Sequence, residues 1–125
     1  PWEFYVVTDK EKIQELSKAT PYSGCAAGAP VVIVPVYQKE GLPVQDMAQI
    51  DMSIAQENIW LETDALGLGG VWIGIAPFED RMVLVHDILQ LPENVEVFSL
   101  FALGYPAESR KQQDRFDESR IHFVG

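Results

Sequence analysis

Residues 65–77 read Ala-Leu-Gly-Leu-Gly-Gly-Val-Trp-Ile-Gly-Ile-Ala-Pro, and the fold of the whole chain is interpreted from this stretch. A long helical pattern stops here on glycines, and an apolar run of strand length begins. Gly67, Gly69 and Gly70 can adopt positive φ at a helix end, and without a Cβ they let another backbone or a flat ligand come close. Local chemistry therefore allows two interpretations, a plain helix C-cap or a ligand contact.

The order of the elements excludes a dinucleotide-binding fingerprint. That motif needs a strand, then glycines, then a helix whose N-terminus faces the pyrophosphate, whereas here the helix comes first. Trp72 also stands where a third glycine would be. Since strands and helices alternate without a phosphate-binding loop, we expect a layered α-β-α or α+β domain.

Length and composition predict a single globular domain over residues 1–125. The chain is 47% hydrophobic and 22% charged, and no apolar run approaches the roughly 18 residues of a membrane span. No signal-peptide pattern opens the chain, and the lone Cys25 cannot form an internal disulfide. Both features lead us to expect a cytoplasmic protein that does not bind membranes.

The net charge of −10, from 9 Lys and Arg against 19 Asp and Glu, makes nucleic acid and anionic lipid unfavourable partners. A small anion could still bind where cations cluster. They do so only near the C-terminus, at Arg110, Lys111, Arg115 and Arg120.

Periodicity predicts strands at residues 4–8, 31–37, 71–75 and 95–103. Asp9 is expected to cap a first helix, and Pro35, which has no N–H to donate, is expected at a strand edge or a bulge. A helix beginning near Glu79 is predicted to bury Met82, Val85 and Leu89.

The longest helical pattern runs from Gln45 to Leu66. Its apolar residues recur at threes and fours, and this stripe is predicted to face a core: Met47, Ile50, Ile54, Asn58, Leu61, Ala65 and Leu68. Met52, Ile59 and Trp60 lie off the stripe, so the helix is apolar around much of its circumference. Either it is central or a second chain covers it.

Side chains with catalytic or metal-binding chemistry are few. Cys25 has no evident His partner and is interpreted as a structural or free thiol. His86 is a lone histidine beside an apolar stripe and is interpreted as a packed or exposed imidazole. Four carboxylates along the long helix lack a histidine at metal-ligand spacing and are interpreted as solvated or capping charges: Asp51, Glu57, Glu62 and Asp64.

Several short motifs, taken together and in order, resemble the FMN-dependent nitroreductase family. They span nearly the whole chain, and the most specific are the helix-glycine-strand element, the Gly-Tyr-Pro element and the Arg-Phe-Asp element. The motifs are Pro1–Phe4, Ala29–Ile33, Ala65–Gly74, Leu91–Asn94, Ala102–Pro106 and Asp114–Asp117.

This resemblance implies an α+β fold, a three-layer α-β-α sandwich with a mixed, largely antiparallel sheet. It implies an intertwined homodimer with FMN bound at the subunit interface, and the long helix packed against its partner. The implied chemistry is ping-pong: NAD(P)H reduces the flavin, and a small-molecule electron acceptor such as a nitroaromatic or quinone oxidises it. The flavin carries the chemistry, so no catalytic side chain is expected.

The resemblance also assigns the cofactor-binding residues. Backbone contacts to the isoalloxazine are expected from one run of five residues: Gly70, Val71, Trp72, Ile73 and Gly74. Arg115 is expected on the FMN phosphate, where a planar guanidinium suits the oxyanion. The alternative for Arg115 is a surface ion pair with Asp114 or Asp117.

The chain departs from the family at its beginning. Members carry an Arg-Arg-Ser-x-Arg segment that holds the phosphate and a Pro-Ser-x-x-Asn element that touches the ring, whereas this chain starts at the following Pro-Trp. We therefore expect an N-terminally incomplete reductase with uncovered apolar surface. The alternative function is a flavin-free interaction or regulatory module on the same dimeric scaffold. A member that consumes the flavin or dehalogenates an iodinated phenol ranks lower.

Overall fold

The computed structural model describes residues 1–125, and five strands form its one sheet. The sheet order is β1-β2-β5-β3, with β4 paired to β2 beside β5. All four pairings are antiparallel. The strands are β1 (Trp2–Val7), β2 (Val31–Gln38), β3 (Gly69–Gly74), β4 (Val95–Val97) and β5 (Ser99–Gly104).

Three α-helices accompany the sheet. They are α1 (Lys10–Leu16), α2 (Ala48–Ala65) and α3 (Glu79–Leu89), and short 3₁₀ turns occur at Ser23–Gly28, Gln45–Met47 and Glu118–Arg120. The predicted cap of α1 is confirmed, since the Asp9 carboxylate accepts from the Lys12 backbone N–H at 2.9 Å. No helix has the length and apolar character needed to cross a membrane.

The helices lie in two layers on opposite faces of the sheet. Ile13 and Leu16 of α1 and Val85 of α3 share one buried cluster with the valines of β2, and this cluster is the main core. Met52 of α2 packs on the other face with Tyr37. The predicted α+β sandwich of three layers is thus confirmed. All strand pairings in the sheet are antiparallel, however, so the structure lacks the parallel pairing of the expected mixed sheet. The chain leaves the sheet after β5.

A bulge opposite Pro35 divides one predicted strand into two. Ile33 pairs with Phe101, and Val36 pairs with Val97. Three residues therefore lie between Val97 and Phe101, opposite only two between Ile33 and Val36 on β2. At the break, the Phe98 N–H donates to the Pro35 carbonyl at 2.9 Å. The bulge prediction for Pro35 is therefore correct, and the single strand predicted at 95–103 is wrong because the bulge interrupts it.

The prediction of which face of α2 enters the core is wrong. Ile50, Ile54 and Leu61 are 53%, 59% and 60% exposed. The residues that face the sheet are instead Ala48, Met52, Gln56 and Thr63. Periodicity detects an apolar face, but small and polar residues can fit more closely over the aromatic side chains of this sheet. The stronger apolar stripe of α2 therefore lies on the surface of the monomer.

The chain after β5 is exposed to solvent along its whole length. Every residue from Tyr105 to Gly125 is exposed, including large apolar side chains such as Phe116 and Phe123. Its ion pairs are local, for example between Arg120 and Asp117 at 3.0 Å. The tail is thus an arm that extends from the sheet.

Candidate functional site

The turn between α2 and β3 is a Schellman motif built on Gly67. Gly67 has φ +73°, its N–H donates to the Asp64 carbonyl at 2.9 Å, and the Leu68 N–H donates to the Thr63 carbonyl at 3.0 Å. These bonds satisfy carbonyls at the end of α2. Of the two interpretations of the glycine stretch, the helix cap is therefore correct at Gly67.

Gly70 is a glycine because an aromatic ring fills the place of its side chain. A Cβ built there would lie 2.2 Å from Cζ of Phe101. The Phe101 ring is fully buried and meets the Trp60 ring edge-on, with the centroids 6.1 Å apart. Alternation along the strands places Gly70 and Phe101 on the face that α2 covers. On that face, Gly70 offers no room to a ligand.

Gly74 ends the same strand in open surroundings. The residue is exposed, and a Cβ built on it would meet no atom within 4 Å. Its carbonyl accepts a hydrogen bond from Nη1 of Arg81 at 3.3 Å. Because β3 pairs only with β5, its other edge is free, and a planar molecule can approach the backbone at Gly74.

The three residues between these glycines differ in exposure. Val71 is 46% exposed, whereas Ile73 is 4% exposed and belongs to the main core. Trp72 is half-buried, with its ring centroid 5.8 Å from that of Phe98. The Ile73 side chain therefore serves packing, and only its backbone is available to a ligand.

A groove of about 330 Å³ lies beside the first half of β3. Its lining includes Cys25, Gly69, Gly70, Val71 and Tyr105. The Cys25 thiol is exposed, and its one hydrogen bond is a long contact of 3.8 Å to the Tyr22 carbonyl. The five predicted residues are thus not sealed inside the monomer, since open space adjoins β3 at both ends.

Arg115 lies apart from the other predicted site residues. Its guanidinium donates to the Gln113 side-chain oxygen at 3.2 and 2.9 Å, and no hydrogen bond or ion pair joins it to β3. The alternative ion pairs with Asp114 and Asp117 are not formed either, and Asp117 pairs with Arg120. The structure therefore does not bring Arg115 together with Gly70–Gly74 within one chain.

Comparison of the sequence with known proteins identifies the family to which the chain belongs. The model of a family described as "Nitroreductase family" matches residues 17–105. The chain belongs to the nitroreductase family. A Methanothermobacter thermautotrophicus protein named "Putative NADH dehydrogenase/NAD(P)H nitroreductase" is 38% identical over 122 residues, which are 98% of this chain and 64% of that protein. The chain thus spans less than two thirds of this curated relative.

Solved structures of the nitroreductase family share the fold. A Clostridium acetobutylicum protein described as "Putative NADH Oxidase" is 39% identical with a TM-score of 0.94, and the match covers 100% of this chain and 76% of that one. An "FMN-dependent Nitroreductase" from Clostridium difficile is 30% identical with a TM-score of 0.89, over 99% of this chain and 75% of that one.

The residues present can be tested for their fit to a flavin, the cofactor for which the C. difficile protein is named. Gly74 fits, since its backbone is exposed and the space of a Cβ is empty. The α2 face of Gly70 does not, because Phe101 occupies it. A planar cofactor would therefore meet β3 at its Gly74 end or along its free edge.

Two polar side chains near the Gly74 end escaped the sequence analysis. Gln56 of α2 is fully buried and accepts a 2.8 Å hydrogen bond from the Ser99 hydroxyl, while its Nε2 has no partner. Ser99 is the residue that pairs with Gly74 across the sheet. The available signal for Gln56 was its spacing of four from Met52, on the face of α2 that was not chosen.

The second missed residue, Arg81, lies in the first turn of α3. Its Cζ is 4.3 Å from the centroid of the Phe78 ring, and it donates to Gly74 as described. The spacing Phe78-x-x-Arg81 across the start of a helix could have indicated the stacking, but nothing in the sequence related either residue to Gly74.

A buried network supports the α2 side of the sheet. The Tyr37 hydroxyl donates to Glu96 at 2.7 Å and accepts from the Gln49 amide at 3.1 Å. Burial, assisted by the Glu96 carboxylate and opposed by the Gln49 hydrogen bond, raises the pKa of Tyr37 to about 12. Tyr37 belongs to the cluster on which Trp72 packs, so the network supports the middle of β3 on the face that α2 covers.

The remaining candidates for catalysis or metal binding are His86 and the carboxylates, and their neighbours indicate structural roles. One ring nitrogen of His86 lies 3.0 Å from the Pro92 carbonyl, which ties α3 to the loop that follows it. No group of three or more His, Cys, Asp or Glu side chains is arranged to hold a metal ion. The chemistry available at the Gly74 end of β3 is therefore that of backbone groups, one indole ring and one guanidinium.

Proposed function

We propose that this chain forms part of an FMN-dependent oxidoreductase of the nitroreductase type. The reaction would transfer electrons from NAD(P)H to a small acceptor such as a nitroaromatic or a quinone. The observation that carries the proposal is the exposed Gly74 at the end of an edge strand, in a chain that belongs to this family. The names of the relatives point to NAD(P)H, a nitro acceptor and FMN.

The residues that would hold FMN are the five of β3 and Arg115. Gly74 and the backbone at Gly70–Ile73 would meet the ring, and Arg115 would bind the phosphate. When bound, FMN accepts a hydride from NAD(P)H and passes electrons to the acceptor. Because Arg115 lies on the extended arm, its assignment requires that the arm reach a site on another copy of the chain.

The protein's own contribution at this site is positioning and electrostatics. Backbone N–H groups on the free edge of β3 are donors that need no reorganisation as charge develops nearby. Trp72 and the Phe98 ring beside it keep the floor apolar, which strengthens those hydrogen bonds by excluding water. One opening at Gly74 implies that donor and acceptor occupy it in turn, so we propose ping-pong kinetics.

We also propose that the functional unit is a homodimer formed through the outer face of α2. Ile50, Ile54 and Leu61 are exposed there, and a groove of about 510 Å³ separates α2 from the exposed Trp2 and Phe4 of β1. A contiguous apolar surface of this kind is typical of an interaction site. A second copy would cover it and bring the arm of one chain to the β3 of the other.

The dimer is tested by sedimentation of the chain and of two variants. Ile54→Glu places a charge in the proposed interface, and the control Val83→Glu places one at an equally exposed residue of α3. We expect the unmodified chain and Val83→Glu to sediment as dimers and Ile54→Glu as a monomer. A monomeric unmodified chain would contradict the proposal.

Flavin binding is tested by titrating the chain into FMN and following flavin fluorescence. Quenching that saturates, followed by loss of the flavin absorbance on addition of NADH or NADPH under argon, is the expected result. Riboflavin serves as the control ligand for the phosphate contact. A chain that neither quenches FMN fluorescence nor becomes yellow on addition of FMN would contradict the proposed function.

A second candidate function is a flavin-free interaction or regulatory module. Two observations favour it: the α2 face of Gly70 is filled by Phe101, and Arg115 makes no contact with β3. This candidate predicts a dimer in the sedimentation experiment and no quenching in the flavin titration. Because both candidates predict a dimer, the flavin titration is the experiment that separates the two functions.

A further inference from the structure

Arg81 is the cation nearest to the open end of β3. It is half-buried, its guanidinium lies over the Phe78 ring at 4.3 Å, and its Nη1 donates to the Gly74 carbonyl at 3.3 Å. An arginine held over an aromatic face is attracted by the negative charge of that face, and this restricts its side chain. The guanidinium is thereby fixed beside Gly74.

Most of the hydrogen-bonding capacity of Arg81 is unused. A guanidinium has five N–H donors, and only one hydrogen bond is formed here. Glu79 and Asp80 belong to the same helical turn, yet neither forms an ion pair with Arg81, and the ion pairs of the chain involve other residues. The guanidinium is therefore positioned by its neighbours without being neutralised by a carboxylate.

The space next to this charge is free. Gly74 is exposed and has no atom within 4 Å of its missing side chain. On a chain of net charge −10, an anionic ligand needs a local cation in order to approach. The other clustered cations lie on the arm and are not in contact with β3.

We propose that Arg81 binds the oxyanion group of the ligand that enters beside Gly74, and so gives the site a preference for phosphate- or carboxylate-bearing molecules. The planar fork of donors suits both groups because each offers two oxygens in a plane. This inference rests on the proposed function only in assuming that a ligand enters there. It assigns no covalent role to Arg81.

The oxyanion could come from two sources, and the experiment separates them. The chain is labelled with ¹⁵N, and the Gly74 amide and the Arg81 Nε–H are followed by NMR during titration with inorganic pyrophosphate, 4-nitrobenzoate or 4-nitrobenzamide. Pyrophosphate represents the phosphates of a nucleotide or flavin. The nitro compounds share a ring and differ in the carboxylate, so they represent an acceptor with and without charge.

We expect saturable shifts of both resonances with at least one of the two anions. Arg81→Gln should weaken that anion's binding about tenfold, the loss of about 1.4 kcal/mol expected for one charge-assisted contact, while leaving 4-nitrobenzamide unchanged. Arg81→Lys keeps the charge and should lose less. Lys18→Gln, which removes an exposed cation just after α1, is the control and should bind as the unmodified chain does.

The possible results decide the inference independently of flavin binding. Anions that leave Gly74 and Arg81 unperturbed, or that bind equally well to Arg81→Gln, would overturn it. A chain that fails to bind FMN but keeps an Arg81-dependent anion response would overturn the proposed function and leave this inference standing.

Discussion

Gly70 and Gly74, two of the three glycines of β3, lie on the same face of this six-residue strand but in different surroundings. At Gly70 the space of the missing side chain holds the ring of Phe101. At Gly74 it holds nothing, and the residue is exposed. The comparison shows that a glycine run which resembles a ligand-binding motif can be part packing and part site.

The neighbours of the two glycines differ in the same way. The Gly70 end is closed by aromatic rings of α2 and β5, which meet edge-on. The Gly74 end is bordered by a guanidinium and by a serine that reaches a buried amide. On the face that α2 covers, the strand thus has a closed end that stabilises the domain and an open end that is available to a ligand.

The sharpest test of this contrast is Gly70→Ala. A Cβ at 2.2 Å from the Phe101 ring forces a displacement in a packed core, and we expect the free energy of unfolding to fall by about 3 kcal/mol. Urea denaturation measures the change. The double variant Gly70→Ala with Phe101→Leu should recover part of the loss, because the smaller side chain makes room. A Gly70→Ala variant as stable as the unmodified chain would contradict the inference that Phe101 fills the space of the missing side chain.

The aromatic support of the strand should respond to alkaline pH through Tyr37. Its pKa is raised to about 12 in the folded chain from 10.0, so the protonated hydroxyl favours folding. This stability is fully present below pH 10 and is lost as the pH rises to about 12. Because Gln49 and Glu96 are only half-buried, we expect the loss to be about 1 to 2 kcal/mol, less than the full equivalent of the pKa shift.

Two tyrosine variants isolate this pH effect. Tyr37→Phe has no hydroxyl to titrate, so its free energy of unfolding should fall less between pH 10 and 12 than that of the unmodified chain. Tyr22→Phe, at a tyrosine that is 76% exposed, should behave as the unmodified chain does. Parallel pH profiles for Tyr37→Phe and the unmodified chain would contradict the predicted role of Tyr37.

At the open end, Ser99→Ala should cost about 1 to 2 kcal/mol, because it leaves the buried Gln56 amide without its only hydrogen bond. Replacing both partners, as Ser99→Ala with Gln56→Met, removes the unsatisfied groups and should restore most of the stability. Thermal denaturation of the unmodified chain and of the two variants is the measurement. A double variant less stable than Ser99→Ala would indicate that the amide has another partner.

The sequence predicted the elements and the buried face of α3 well, and the buried face of α2 wrongly. Hydrophobic periodicity located α2 and the glycine turn at its end, because cap chemistry is local. It chose the wrong face of α2, since Ile54 and Met52 are both apolar and only the shape of the sheet decides which is buried. The bulge was predictable from Pro35, but the division of β4 from β5 depends on pairing with a distant strand.

The candidate site was predictable as a stretch but not as a set of contacts. The resemblance located residues 70–74, while the filling of Gly70 by Phe101 and the proximity of Arg81 to Gly74 arise from tertiary packing. Arg115 shows the opposite limit, since a motif on an exposed arm carries no information about where the arm lies. Its place at the flavin phosphate stays a prediction.

The smallest effect on stability is expected for Gly74→Ala. Gly74 has no positive φ and no neighbour to clash with, so an alanine should change the free energy of unfolding by less than about 1 kcal/mol and, through reduced chain entropy, in the stabilising direction. If the open end holds a flavin, the same methyl group takes up the space of the ring. FMN affinity, measured by fluorescence quenching, should then fall at least about tenfold, the equivalent of 1.4 kcal/mol.

Gly24→Ala is the matched control for Gly74→Ala, because Gly24 also has nothing within 4 Å of a Cβ but lies in the 3₁₀ turn after α1. It should leave FMN affinity unchanged. The contrast between the strand ends predicts one substitution that destabilises the domain and another that blocks the ligand without destabilising it. If Gly74→Ala bound FMN as tightly as Gly24→Ala, the open end of β3 would have no part in flavin binding. The flavin would then have to contact the strand elsewhere along its free edge.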